Sequence, residues 1–169
     1  MTASHEPSSH HAAAAMHHEQ AARFHREASR HYQIGQAYAH AAQHALTAHG
    51  HAHRALEHGQ AASACYASHE GSPLPNYLNR PADRLASTAV ASPKILTGTE
   101  HHTIAADHHL AAGHHHALAG KHCDAEHYVR ANHATKDALK HGKHALFHSN
   151  QAAMHHMEHY GSHPTAELA

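Results

Sequence analysis

The sequence predicts an all-α protein, a four-helix bundle made of two repeated antiparallel helical hairpins joined by a long proline-containing crossover. Three observations carry this. Alanine, the best helix former, fills 39 of 169 positions. Four segments repeat alanine and histidine every seven residues, the helical rather than the strand period. The first half of the chain also matches the second. The composition is dominated by 31 histidines, against 12 Lys+Arg and 13 Asp+Glu. Leu, Ile, Val, Met, Phe and Tyr together supply only 28 positions.

The elements follow in order. Residues His17 to Ile34 match His101 to Leu118 at an offset of 84, and Ala55-Leu56-Glu57-His58-Gly59 matches Ala138-Leu139-Lys140-His141-Gly142 at 83. The one-residue slip falls at Gly35 and Gly120, so each copy reads as helix, glycine turn, helix. Helices are expected at 8–33, 37–69, 100–118 and 122–160. Hairpin one is thus 8–69 and hairpin two 100–161, followed by a short tail at 162–169. The crossover, 70–99, holds Pro73, Pro75, Pro81 and Pro93. Proline removes a backbone donor and restricts its preceding neighbour, so no helix runs through it. Leu74, Tyr77, Leu78, Ile95 and Leu96 are available to pin the crossover to the bundle.

Periodicity also orients the histidines. In the first helix the column Ala14, Ala21, Ala28 is flanked by His10, His17, Phe24, His31 and by His11, His18, His25, Tyr32. Charged Glu19, Arg23, Arg26 and Arg30 occupy the opposite face and belong in water, so the His–Ala–His strip faces inward. The third helix repeats this, with Ala105, Ala112 and Ala119 between His101, His108, His115 and His102, His109, His116. Beside the alanines of the second helix run His44, His51, His58 and Cys65. Beside those of the fourth run His127, His141, His148 and His155. Under the 84/83 offsets Cys65 falls on His148 and Cys123 on His40, so a thiol and an imidazole exchange places between copies.

Neutral imidazole offers a lone pair to a metal and an N–H to a further acceptor. The inward histidines of these four helices, with Cys65 and Cys123, are therefore the candidate metal ligands. Pairs on one helix, such as His49/His53 and His144/His148, carry little weight singly, because 31 histidines generate them by chance. Imidazole suits copper, zinc, nickel and iron, and intrinsic affinity favours Cu(II). Met16 and Met154-His155-His156-Met157 add thioethers, which lean towards Cu(I). Neutral rings contribute no negative charge, so a monovalent ion accumulates more easily than a divalent one. Copper is the first expectation, with nickel or zinc next. The competing expectation is a metal-free structural or pH-responsive bundle with a polar histidine core. A purification tag is a poor account, because the histidines are spread at heptad spacing.

Other classes are excluded or weakened. No Glu-x-x-His pair of the di-iron bundles occurs, nor HExxH, a Walker loop, GxGxxG or CxxCH. No catalytic residue stands out, and the chain is not expected to be an enzyme. The net charge of −1 argues against nucleic acid. No apolar run reaches the roughly 18 residues of a membrane span. Two cysteines outside any CxxC pair, and no signal peptide, lead to the expectation of a cytoplasmic protein with reduced thiols. The partners expected are metal ions, and assembly into a homo-oligomer stays open.

The pattern His18, Ala21, Ala22, His25, Ala28, Gly35, then His44, Ala48, His49, Gly50, His51, resembles a family of small His-rich bacterial helical-bundle proteins. In architecture the chain is also similar to the cytosolic copper storage proteins, four-helix bundles whose cores are lined by cysteine. This sequence has histidine at nearly every position where they have thiolate. The resemblance implies a helical bundle that stores or buffers metal.

Overall fold

A computed structural model describes residues 7–35, 37–70 and 96–160, of which 65–70 and 159–160 are described by their backbone alone. Four helices make up the structure: α1 (Pro7–Ile34), α2 (Tyr38–Glu70), α3 (Gly98–Asp124) and α4 (Tyr128–Tyr160), with no strand among the described residues. The all-α four-helix bundle is therefore present. Residues 71–95 of the expected crossover, with Leu74, Tyr77, Leu78 and Ile95, lie outside the described residues, as does the tail.

Local chemistry fixes the helix ends. Thr97 caps α3: its side chain accepts from the Glu100 N–H, while the Thr97 N–H donates to the Glu100 carboxylate at 2.8 Å, a capping box. This Thr-x-x-Glu signal starts the helix two residues before the expected position. At the other end the His127 N–H donates to the His122 carbonyl and the Glu126 N–H to that of Cys123. That is a Schellman closure, with Glu126 at φ 58° in the left-handed region. Gly35, at φ 74°, turns the first hairpin without the Cβ strain that Glu126 bears.

Helix α1 packs extensively on α2 and on α3, and α3 on α4, whereas α2 and α4 meet only loosely. The core is unusual in content. Every buried apolar residue among those described is alanine, apart from Cys123. The largest fully buried side chains are His11, His18, His25, His102, His109, His116 and Thr135. Glu19, Arg23, Arg26 and Arg30 are on the outside or its edge, as the periodicity required. Leu56, Leu139 and Leu146 are half-buried and plug the periphery.

Small residues let the backbones approach. A Cβ built on Gly113 would lie 3.4 Å from the Ala15 carbonyl oxygen, and one on Gly120 3.5 Å from His11 Cβ. Gly120 is therefore not a turn residue. It lies inside α3, at the α1/α3 contact, and the chain reverses only at Ala125–Glu126.

This corrects the repeat register. His10 pairs with His58 and His17 with His51 in the first hairpin, as His101 does with His148 and His108 with His141 in the second. By subtraction the structural equivalents lie 91 apart in α1/α3 and 90 apart in α2/α4, one heptad beyond the sequence match. An Ala/His pattern that recurs every seven residues aligns nearly as well after a shift of seven. The turns decide, since Gly35 and Glu126 are 91 apart and share the positive φ. In this register Cys65 corresponds to His155 and Cys123 to Tyr32, so the exchange of thiol for imidazole holds only for Cys65.

Gly59 shows how tight the fit is. A Cβ there would meet His116 Cε1 at 2.9 Å, Nε2 at 3.0 Å and Leu139 Cδ2 at 3.3 Å. Gly50, by contrast, is exposed and has nothing within 4 Å. Gly50→Ala is expected to stabilise the protein by ~1 kcal/mol through helix propensity. Gly59→Ala gains the same propensity but overpacks a ring held on both sides, for a net loss of ~1–2 kcal/mol. Urea unfolding of the two variants checks this, and equal stabilisation by both would contradict it.

Candidate metal centre in three rows of paired histidines

The helix register builds pairs of histidines across each seam. Between α1 and α3 the Nδ1 atoms of His11 and His116 are 3.1 Å apart, those of His18 and His109 3.0 Å, and those of His25 and His102 3.1 Å. Successive pairs are linked by stacked rings, His116 on His18 at 5.5 Å and His109 on His25 at 5.4 Å. Six fully buried imidazoles thus form one continuous row, ended by Tyr32, whose ring is 5.3 Å from His102 and 4.2 Å from His156.

Two outer rows flank it. Between α1 and α2, His10–His58 and His17–His51 pair at 3.2 and 3.1 Å, with His17 stacked on His58. Phe24 then replaces a histidine and stacks between His51 and His44, and His31 stacks on His44. Between α3 and α4, His101–His148 and His108–His141 pair at 2.9 and 3.0 Å. His115 continues this row by stacking on His141, and its Nδ1 has no partner because the register sets Ala134 across from it.

A hydrogen bond between two ring nitrogens uses one proton, so the rings of a neutral pair are opposite tautomers. One ring donates from Nδ1 and leaves Nε2 a bare lone pair. The other accepts at Nδ1 and carries its proton on Nε2. Thr135 assigns one case. Its hydroxyl donates to the Ala131 carbonyl at 2.8 Å, so towards His11 Nε2, 3.4 Å away, its oxygen accepts. His11 is then the Nε2–H tautomer, and His116 donates from Nδ1 with a bare Nε2. The Nε2 atoms of His18, His25, His102, His109 and His116 are all buried without a hydrogen-bond partner. A buried unpaired polar group costs about 1–3 kcal/mol, so these nitrogens are a large standing penalty.

Burial also sets the proton affinity. Desolvation, reinforced by neighbouring imidazoles, lowers the pKa of His11, His18 and His102 to about 4, of His25 to about 3 and of His116 to about 2. His109 is pushed well below 6.5 by burial and then by His18 and His25. The half-buried His148 is lowered to about 4 by burial and by His101. Among the described residues no Asp or Glu is buried, and Asp107, Asp124 and Glu126 are exposed.

The sequence-derived ligands thus separate into groups. His10, His11, His17, His18, His25, His51, His58, His101, His102, His108, His109, His116, His141 and His148 are paired across helices. His31, His44 and His115 are stacked within the rows. His155 lies 5.5 Å from the His101 ring and 3.9 Å from Glu158. His127 is exposed, contrary to its inward column, because it sits in the α3/α4 turn one residue before α4 begins. Cys123 is buried against Tyr128 and Ala131, and the Cys65 side chain lies outside the described residues. Sequence reasoning did not count Thr135, Tyr32 or His156 among the ligands, and it gave the His49/His53 pair little weight, although their Nε2 atoms are 2.9 Å apart. Among the described residues, no group of three or more His, Cys, Asp or Glu is arranged to hold one ion. The unit is the pair. No family model, no curated protein and no solved structure matches the chain.

The tautomers and the acid response of these rows are both measurable. Nitrogen-15 NMR of the histidine rings is expected to show His11 protonated on Nε2 and His116 on Nδ1, and the same tautomer on both rings would refute the assignment. The second concerns acid. Above pH 6.5 the rings are neutral in both folded and unfolded chains. Below it the unfolded chain takes up protons that the buried rings refuse, so stability falls with falling pH until the folded values, from about 4 for His11, His18 and His102 down to about 3 for His25 and about 2 for His116, are reached. Each ring contributes about 1.4 kcal/mol per pH unit, so the six together cost about 8 kcal/mol over one pH unit, comparable to the ~5–15 kcal/mol total stability of a typical domain. Helix content measured by circular dichroism should collapse between about pH 6 and 5. Full helicity at pH 4 would contradict the buried, neutral rows.

Proposed function

We propose that this bundle binds and buffers a transition-metal ion, copper before nickel or zinc, through its cross-helix histidine pairs. The supporting observation is the set of five buried Nε2 atoms without partners, lying in a row where a folding core alone would use leucine. A ring that donates from Nδ1 and ligates through Nε2 has the arrangement common to metal-bound histidine, with its pair partner as the outer acceptor. The lack of any carboxylate in the row favours a monovalent ion. Imidazole donors with exposed thioethers at Met154 and Met157 suit Cu(I). The Nδ1 pairs themselves fit less well. At bonds of ~2.0 Å, two nitrogens on opposite sides of an ion stand ~4 Å apart, so a pair at 2.9–3.2 Å must open by about 1 Å or bind from one side.

The role is storage or buffering rather than catalysis, and the resemblance to copper storage proteins points the same way. No described helix is long and apolar enough to cross a membrane. We propose a cytoplasmic location, since two cysteines outside any CxxC pair make no disulfide framework. A second reading, a metal-free acid-labile bundle, is favoured by the Nδ1···Nδ1 distances, which are ordinary hydrogen-bond lengths.

Metal analysis of protein purified without an affinity column, followed by competitive titration with Cu(I), Cu(II), Ni(II) and Zn(II), separates the two. Several equivalents of Cu(I) are expected. His18→Leu/His109→Leu, which removes one buried pair, should lose about one equivalent. His17→Gln/His51→Gln does the same for a half-buried pair and keeps a polar surface. Less than one equivalent of every metal would leave the metal-free reading.

A further inference from the structure

The six rings of the α1/α3 row are fully buried, so an ion reaches their nitrogens only through the bundle wall. The α1/α3 seam is shut by close backbone approach at Gly113 and Gly120. On the far side, α2 and α4 close over half their length. There Leu56 Cδ2 lies 3.1 Å from the Cβ position of Gly142, and Leu139 Cδ2 3.3 Å from that of Gly59. Over the other half the two helices leave a cleft of about 510 Å³, walled by Ala42, Leu46 and His49 of α2 and Ser149, His156 and Met157 of α4.

The pseudo-twofold relation makes this opening specific. A shift of 90 carries His49 onto Leu139, the leucine that plugs the closed half. At this position histidine stands in the open half where leucine stands in the closed one, while the other plug, Leu56, has a leucine counterpart in the half-buried Leu146. His156 reaches inward, its ring 6.4 Å from that of His102, while Met157 at the rim is 75% exposed. His49 is near enough to His25 and His109 to lower the proton affinity of both.

We propose that the α2/α4 cleft is the port by which a soft transition-metal ion enters the central row, with the Met157 thioether and the His49 and His156 imidazoles as transit ligands. A thioether and two imidazoles suit an ion such as Cu(I), which exchanges between few, neutral, soft donors. This rests on the metal-binding reading of the rows and adds the route to it.

Stopped-flow transfer of Cu(I) from its bicinchoninate complex tests the port on the full chain. Wild type should load in two phases, fast for the half-buried outer rows and slow for the central row. His49→Leu, which copies the plug of the closed half, should slow the second phase at least tenfold and lower the final capacity by no more than one ion. Ala153→Phe, which fills the cleft and leaves every proposed ligand in place, should slow the same phase with capacity unchanged. Circular dichroism confirms that both variants fold. Slow phases equal to wild type in both variants overturn the port while the metal-binding reading stands. A wild type that takes up no Cu(I) overturns the metal-binding reading, and the port with it.

Discussion

The hydrogen bond between two neutral imidazoles, made at about 3 Å across an alanine seam, is the interaction on which the rest of this structure depends. It needs helices close enough for the rings to meet, and that is why alanine and glycine line the contacts. It needs both rings neutral, which burial enforces. It also sets the register, because sliding one helix by a residue would separate every pair in a row at once. A leucine core tolerates small shifts by repacking. A row of directional bonds does not, so the histidines specify one arrangement where the sparse apolar residues could not.

The same bond leaves each buried pair with one bare nitrogen and one N–H facing α2 or α4. Neither finds a partner, except where Thr135 meets His11. Stability and ligand capacity are therefore opposed in this core. Nitrogens left unmatched weaken the fold and make the interior a soft, neutral, imidazole-lined donor set. The absence of carboxylates from the row keeps it suited to ions of low charge. The three rows differ in access, the outer two meeting solvent along their flanks and the central one enclosed, so exchange with the outside is graded across a single bundle.

Much of this was legible in the residues. Alanine content and heptad spacing gave four helices, and the position of Glu19, Arg23, Arg26 and Arg30 told which face was wet. The inward histidine columns were correct at nearly every position. His127 failed because the turn fell later than Gly120 suggested, and a column loses its meaning where its helix has not begun. The repeat register failed for a related reason, since a seven-residue pattern is blind to shifts of seven. Which histidine meets which depends on the turn, and the deciding turn residue, Glu126, does not look like one.

What the sequence by itself determined is the architecture and its anomaly: four amphipathic helices whose inner strips carry histidine beside alanine. Periodicity is a local property, and the chain writes it directly. What only the tertiary structure decided is that those histidines meet in pairs, with no group of three or more placed to hold one ion among the described residues. It also decided that the central row is sealed on one side and open on the other. Both depend on how far one helix is slid along another and how closely their backbones approach, quantities set by the turns, by Gly113 and Gly120, and by the leucines that plug only half of the α2/α4 face.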